Sequence, residues 1–263
     1  MGFLKNKKIL IVGVANKFSI AAGIAEAMHK QGAELILSYQ SERLKEKVVQ
    51  LGETWGCRTF IECDVTNDES IESMMDIIKK EWGCLDGIVH AVGFAPANEL
   101  DGNYVDVATR EGFAIAHDIS VFSFTALAKS GKDLMNGRNA SLLTLSYLGS
   151  QRTLPNYNVM GIAKAALEST TRYLASDLGP DKIRVNAISP GPMRTLAGAS
   201  VGGARKTYKF TELNAPLGSN ATLEAVGGTA VYLISDAGKL TSGEIIVVDG
   251  GYHIMGMPRA ENI

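Results

Sequence analysis

Short runs rich in Ile, Val and Leu alternate along the chain with longer segments in which apolar residues recur at helical spacing. "KKILIVG" (7–13) predicts a first strand, and "AAGIAEAMHKQG" (21–32) a helix that stops at Gly32. "AELILSY" (33–39) predicts a second strand, followed by the charged helix "SERLKEKVVQLGETW" (41–55). "CRTFIECDV" (57–65) reads as a third strand. The segment 67–83 opens on Asn67 as a cap and spaces Ile71, Met74, Met75 and Ile78 on one helical face. Four more strands follow, "LDGIVHAVG", "ASLLTLSY", "IRVNAISPG" and "GEIIVVDGG". Strands that are apolar throughout, separated by helices, imply a parallel sheet covered on both faces. The expected architecture is α/β: one doubly wound Rossmann-type domain over residues 1–263, with a seven-stranded parallel sheet and helices on both faces.

Composition narrows the function classes. The net charge is −2 and no basic stripe stands out, which argues against nucleic acid as a partner. No apolar run reaches the length of a transmembrane helix. The apolar run after the N-terminal lysines is interrupted at Gly13, too soon for a signal peptide. Cys57, Cys63 and Cys84 form no CxxC pair and no cluster with His, so no metal site is expected and a reducing cytoplasm is the simplest setting.

Sheets of this kind bind ligands at the carboxyl ends of their strands, where strand order reverses. The first strand ends in "GVANKFSIAAGIA", where Gly13 permits a tight turn, Ser19 can donate to a pyrophosphate and Gly23 lets the helix start near it. An ordinary turn fits the same residues. Two further strand ends favour a dinucleotide. Asp64 in "CDV" can accept from an adenine amino group, although a helix-capping carboxylate is the alternative. Gly93 in "AVGF" leaves room for a nicotinamide ribose. At the end of strand two stands Gln40 instead of the usual acid, followed by Arg43 and Lys45. An arginine there can accommodate a 2′-phosphate, and a solvated helix face explains it equally; NADH is the expected cofactor, ahead of NADPH.

The segment 156–179 reads as a helix with Asn156 as its cap, and Lys164 follows Tyr157 by seven residues, two turns on. A phenol with an ordinary pKa near about 10 is a poor acid at neutral pH, and a nearby ammonium favours its ionisation. Taken alone, the pair is also explained as a helix-start aromatic and a solvated charge.

The segments "GVANKFSIAAGIA", "CDV", "VGFAP", "TREGFAIAHDIS", "LSYLGSQRTLPNYNVMGIAKA", "RVNAISPGPMRT" and "SGEIIVVDGG" together span residues 8–251. In them the chain resembles the short-chain dehydrogenases/reductases, and most closely the type I enoyl-acyl carrier protein reductases of bacterial fatty acid synthesis. The Tyr157–Lys164 spacing, with Tyr147 ten residues upstream, is the specific part of that resemblance. It implies that Tyr157 hydrogen-bonds the thioester carbonyl, that Lys164 holds the nicotinamide ribose, and that Tyr147 lies beside the acyl chain. Ser19, Ile20, Gln40, Asp64, Val65, Ser146 and Thr195 match cofactor-contacting positions. Ketone reducers place their tyrosine where this chain has Met160, and a serine where it has Tyr147. The shift has a chemical reason. In enoyl reduction hydride goes to the β-carbon and charge develops on the distant thioester oxygen. Moving the tyrosine back three residues displaces its anchor by about 4.5 Å. The α-carbon proton could come from Tyr157 or from water.

The resemblance also implies a substrate-binding loop over about 192–212, read here as Gly- and Ala-rich with weak periodicity. Pro192, Met193, Val201 and Ala204 would line one side of an apolar slot, with Phe94, Leu100 and Met160 opposite; core packing is the alternative for each. Arg205, Lys206 and Lys209 offer a basic patch for an acidic acyl carrier protein, or an ordinary solvated face. A homotetramer is implied by resemblance. Asp118 lies where ketone reducers carry a relay asparagine, and "SPGP" at 189–192 follows the wider superfamily. The competing expectations are a 3-ketoacyl or other carbonyl reductase and a catalytically silent dinucleotide-binding protein.

Overall fold

The structure is a computed structural model that describes residues 2–262, so both end residues of the expected 1–263 domain lie outside the described residues. Seven strands form one sheet: β1 (Lys8–Val12), β2 (Glu34–Tyr39), β3 (Phe60–Glu62), β4 (Gly87–His90), β5 (Ala140–Leu145), β6 (Ile183–Pro190) and β7 (Ile245–Val248). Their order is β3-β2-β1-β4-β5-β6-β7 and every pairing is parallel. The strands come out shorter than the apolar runs that predict them, because pairing stops where the chain turns away. β3, expected over 57–65, keeps only the three residues that pair with β2.

Among the described residues, ten α-helices accompany the sheet: α1 (Ile20–Lys30), α2 (Glu42–Thr54), α3 (Asp68–Trp82), α4 (Tyr104–Val107), α5 (Arg110–His117), α6 (Ser123–Met135), α7 (Asn158–Leu178), α8 (Leu196–Ala199), α9 (Ala204–Asn214) and α10 (Leu223–Ile234). Strand periodicity assigns the two faces. In β1, Ile9 and Ile11 join the core layer under α1, α2 and α10, whereas Leu10 and Val12 join the layer under α3, α6 and α7. All four are essentially fully buried, each contributing about 2 kcal/mol of apolar transfer. Local caps behave as the sequence predicts at α3, where the Asn67 side chain accepts from Ser70 N and Gly83 closes the helix at φ +68°.

Gly23 has a different reason from the one expected. It is buried in the first turn of α1, where an added Cβ would stand 2.7 Å from Leu223 Cβ, so it serves the close contact of α1 with α10. The stretch over 192–212 also differs from the loop expected, since α8 and most of α9 fall within it. Its hydrophobic pattern is weak because α9 lies on the surface with Phe210 and Leu213 exposed and only Thr211 and Asn214 buried. Among the described residues, no helix is long and apolar enough to cross a membrane.

Candidate active site

Strand order reverses between β1 and β4, and the carboxyl ends of β1, β4 and β5 open there. Gly13 follows β1 with φ +111°, and an added Cβ would fall 2.3 Å from Ala91 O, so only glycine fits this turn. It delivers the chain to the N-terminus of α1, an eleven-residue helix whose free N–H groups suit an anion. This cradle fits the pyrophosphate of a dinucleotide. Ser19 is the cap of that helix: its Oγ accepts from Ala22 N and donates to Asn16 O. Ile20 and Met193 pack on the same core layer as Ala91.

At the neighbouring strand ends, Asp64 Oδ1 accepts from Thr66 N and Oγ1, which closes a turn; the helix cap is Asn67. Val65 is buried beside it. Gln40 is exposed just beyond β2. Lys45 pairs with Glu42 at 3.0 Å and lies over the Tyr39 ring, so it behaves as a solvated helix charge.

Lys164 comes up from α7 into the opening beyond β4. Its Nζ lies 3.5 Å from where a Cβ on Gly93 would stand, next to Met160 and the Ser120 hydroxyl. The ammonium donates to Leu145 O at 2.7 Å. Burial pulls Lys164 down to about 8, against an opposing pull from Glu168. His90 sits in β4 between Thr144 Oγ1 and Ser123 Oγ, both at 2.8 Å; burial pulls it down to about 3, so it is neutral near Lys164.

Tyr147 and Tyr157 meet edge to face with ring centroids 4.9 Å apart. Burial pushes the Tyr147 phenol up to about 12 and raises Tyr157 further, with Tyr147 adding to the rise. The expectation that the lysine ammonium eases ionisation of Tyr157 is therefore reversed. Desolvation is the larger cause of the rise and the neighbouring Tyr147 the smaller, so burial favours the protonated phenol. The Cδ1–Cε1 edge of its ring lies against Gly149, where an added Cβ would come 2.3 Å from Tyr157 Cδ1. Gly149→Ala is expected to push the ring aside and lower turnover about 10²-fold, read by steady-state kinetics, with the far-UV circular dichroism unchanged.

Asn156 does not cap α7. Tyr157 holds the cap position, and Asn156 takes φ +62° to bridge two distant loops. Its Oδ1 accepts from Gly102 N at 3.2 Å and its Nδ2 donates to Gly202 O at 2.9 Å. Asn158, at φ +41°, donates to Glu99 O and Gly102 O. Tyr157 is thus flanked by two asparagines that hold it from both sides.

The residues expected to line the apolar slot fall into two groups. Leu100, Met160, Val201 and Tyr157 pack together with Ala95, Ala116 and Val159. Met193 departs to the other core layer, Pro192 is half-buried, Ala204 starts α9, and Phe94 is 51% exposed at the mouth. Thr195 caps α8, accepting from Gly198 N. Ser146 is buried and donates to Glu168 Oε1 at 2.6 Å. Asp118 is exposed at the start of a π-helical turn over Asp118–Phe122, and Ser120, within that turn, is the residue that faces Gly93. Sequence reading missed Ser120, Gly149 and Glu168. Only Glu168 carries a local signal, standing one turn beyond Lys164 on the same helix. Arg205, Lys206 and Lys209 are exposed on α9. Among the described residues no group of His, Cys, Asp and Glu could hold a metal.

Comparison with known proteins agrees with this geometry. Residues 13–253 match the family model described as enoyl-(acyl carrier protein) reductase. The chain is 50% identical over 261 residues to the NADH-dependent enoyl-[acyl-carrier-protein] reductase of Escherichia coli K12, covering 99% of each. Its structure resembles the crystal structure of the NADH enzyme from Aquifex aeolicus, with TM-score 0.94, 46% identity, and coverage of 97% and 100% of the two chains. It equally resembles the reductase of Anaplasma phagocytophilum solved in complex with NAD, with TM-score 0.94, 45% identity, and coverage of 99% and 96%. This chain belongs to the enoyl-(acyl carrier protein) reductase family.

Proposed function

We propose that the chain is an NADH-dependent enoyl-acyl carrier protein reductase that saturates a trans-2-enoyl thioester, the last reduction of a fatty acid elongation cycle. The observation that carries the choice of reaction is Met160. It is buried, with its thioether 3.8 Å from Ser120 Oγ and its methyl beside Gly93. An apolar side chain thus fills the place where a ketone reducer needs its acid, while a neutral phenol stands three residues away. The Gly13 turn and the α1 N-terminus fit the pyrophosphate, and Gln40, Asp64, Val65, Ser146 and Thr195 lie along the same strand ends. Bound NADH supplies the hydride that adds to the β-carbon.

The chain's own groups divide the remaining work. Tyr157 donates its hydroxyl to the thioester oxygen as charge develops there, stabilising the enolate without ionising itself. Tyr147 supports the Tyr157 ring from its edge and borders the acyl chain. Lys164 presents an ammonium to the nicotinamide ribose. The slot of Leu100, Met160 and Val201 takes the apolar chain, with the exposed Phe94 and the half-buried Pro192 near its entrance. The α-carbon proton is supplied by Tyr157 or by water.

The same reading treats 1–263 as one domain with 192–212 as the segment over the substrate, and places the protein in the cytoplasm as a homotetramer. Its acidic carrier partner is assigned to the exposed cations Arg205 and Lys206. The thiols of Cys57, Cys63 and Cys84 are free, which suits a reducing compartment.

The test follows NADH absorbance with crotonyl-CoA and then with acetoacetyl-CoA. Oxidation with the enoyl thioester is expected; oxidation with the keto substrate alone would overturn the reaction assigned. Lys164→Ala is expected to weaken NADH binding at least tenfold, about 1.4 kcal/mol, by fluorescence titration.

A further inference from the structure

Lys164 and Glu168 stand one turn apart on α7, and both grip the same short segment after β5. Lys164 Nζ holds Leu145 O at 2.7 Å. One oxygen of Glu168 accepts from Ser146 Oγ at 2.6 Å and from Ser150 Oγ at 2.5 Å. Tyr147 lies between the two serines, and Gly149, against which Tyr157 rests, lies in the same turn. Glu168 is 6% exposed. A carboxylate is costly to desolvate in such a place unless hydrogen bonds and an opposite charge compensate it. Two short hydroxyl bonds and the ammonium one turn away provide that compensation.

We propose that Glu168 is a positioning residue of the reduction: its carboxylate fixes the Ser146–Ser150 turn that carries Tyr147, and supplies the negative charge facing Lys164. The proposal rests on the roles given above to Tyr157 and Lys164. The groups that act on the Lys164 ammonium leave this task to Glu168. His90 of β4 is neutral, Tyr147 and Tyr157 keep their protons, and Gly93, Ser120 and Met160 carry no charge. The direction of the effect follows. Burial lowers the Lys164 pKa and Glu168 raises it, so removing the carboxylate charge makes the lysine lose its proton at lower pH.

The test measures kcat and KM of the full chain with NADH and crotonyl-CoA from neutral to alkaline pH. In the native protein activity is expected to fall as pH rises through about 8, where Lys164 deprotonates. Glu168→Gln keeps the shape and one acceptor, and is expected to move that fall down by about one pH unit. It should also lower kcat about tenfold at neutral pH, and Glu168→Asp should restore the native pH profile. Ser150→Ala, which keeps the charge, should lower kcat while leaving the pH profile in place. A native profile and native kcat in Glu168→Gln, even with a lowered melting temperature, would overturn the proposal. Should Glu168→Gln fail to fold, Ser150→Ala decides, and an unchanged kcat there overturns it. If Lys164→Ala binds NADH as tightly as the native chain, the assigned role of Lys164 itself is wrong. If Lys164→Ala weakens binding and the Glu168→Gln profile stays in place, only the present proposal fails.

Discussion

Tyr157→Phe is expected to lower kcat on a trans-2-enoyl thioester about 10²- to 10³-fold, the loss seen when one oxyanion donor is removed. The substitution deletes only the hydroxyl. The ring stays packed with Leu100, Met160, Val159 and Val201, in edge contact with Tyr147 and against Gly149. NADH binding, which depends on Lys164 and the Gly13 turn, should therefore be native by fluorescence titration. Steady-state kinetics with a natural-length enoyl thioester reads the effect. Because burial raises the Tyr157 pKa, no alkaline limb should belong to this residue, and the limb near pH 8 assigned to Lys164 should persist in the variant. Full activity in Tyr157→Phe would remove the hydroxyl from the mechanism and leave Tyr147 as the remaining phenol beside it.

Arg184→Ala is expected to cost about 3 kcal/mol of stability, the penalty of leaving buried backbone carbonyls without their donor. Arg184 lies in β6, only 5% exposed, and its guanidinium caps the C-terminal end of α10. Nη1 donates to Leu233 O at 2.6 Å and to Gly238 O at 2.9 Å, and Nη2 reaches Ile234 O and Ser235 O. Alanine leaves these carbonyls buried around a cavity. The terminal carbonyls of a helix and its dipole favour a cation in just this place. For a chain of 263 residues the loss corresponds to roughly 10 °C in melting temperature, measurable by calorimetry or circular dichroism. Arg184→Lys should recover little, since an ammonium cannot span carbonyls that a planar fork holds together. The site is remote from Arg184, so kcat at low temperature should survive. A melting temperature within a degree or two of native would show that water replaces the guanidinium.

Much of the architecture was legible locally. β1, β2, β4, β5, β6 and β7 announce themselves as short apolar runs because a parallel strand is buried on both faces. α3 was legible to its ends because Asn67 and Gly83 act on their own neighbours. The segment over 104–135 was not resolved into α4, α5, the π-helical turn and α6, because its breaks at Ala108 and Asp118–Phe122 follow from packing against α7 and the loop after β4. α9 was missed because its apolar residues face outward. Asn156 misled for a related reason: its partners, Gly102 and Gly202, are 54 and 46 residues away, and a local capping rule cannot see them.

The active site divides in the same way. Sequence alone determined that Tyr157 and Lys164 stand two helical turns apart and that Gly13 permits a tight turn at the end of β1. Each of these follows from spacing along one element or from the conformational range of one residue. Tertiary structure decided the rest. Burial, which no spacing reports, raises the Tyr157 pKa where local reasoning favoured an eased ionisation. The meeting of β5, the turn after it and α7 brings Ser146, Ser150 and Glu168 together, with both hydroxyls on one carboxylate oxygen. Protonation and orientation depend on the desolvation and hydrogen bonds that distant elements impose, and those exist only once the chain has folded.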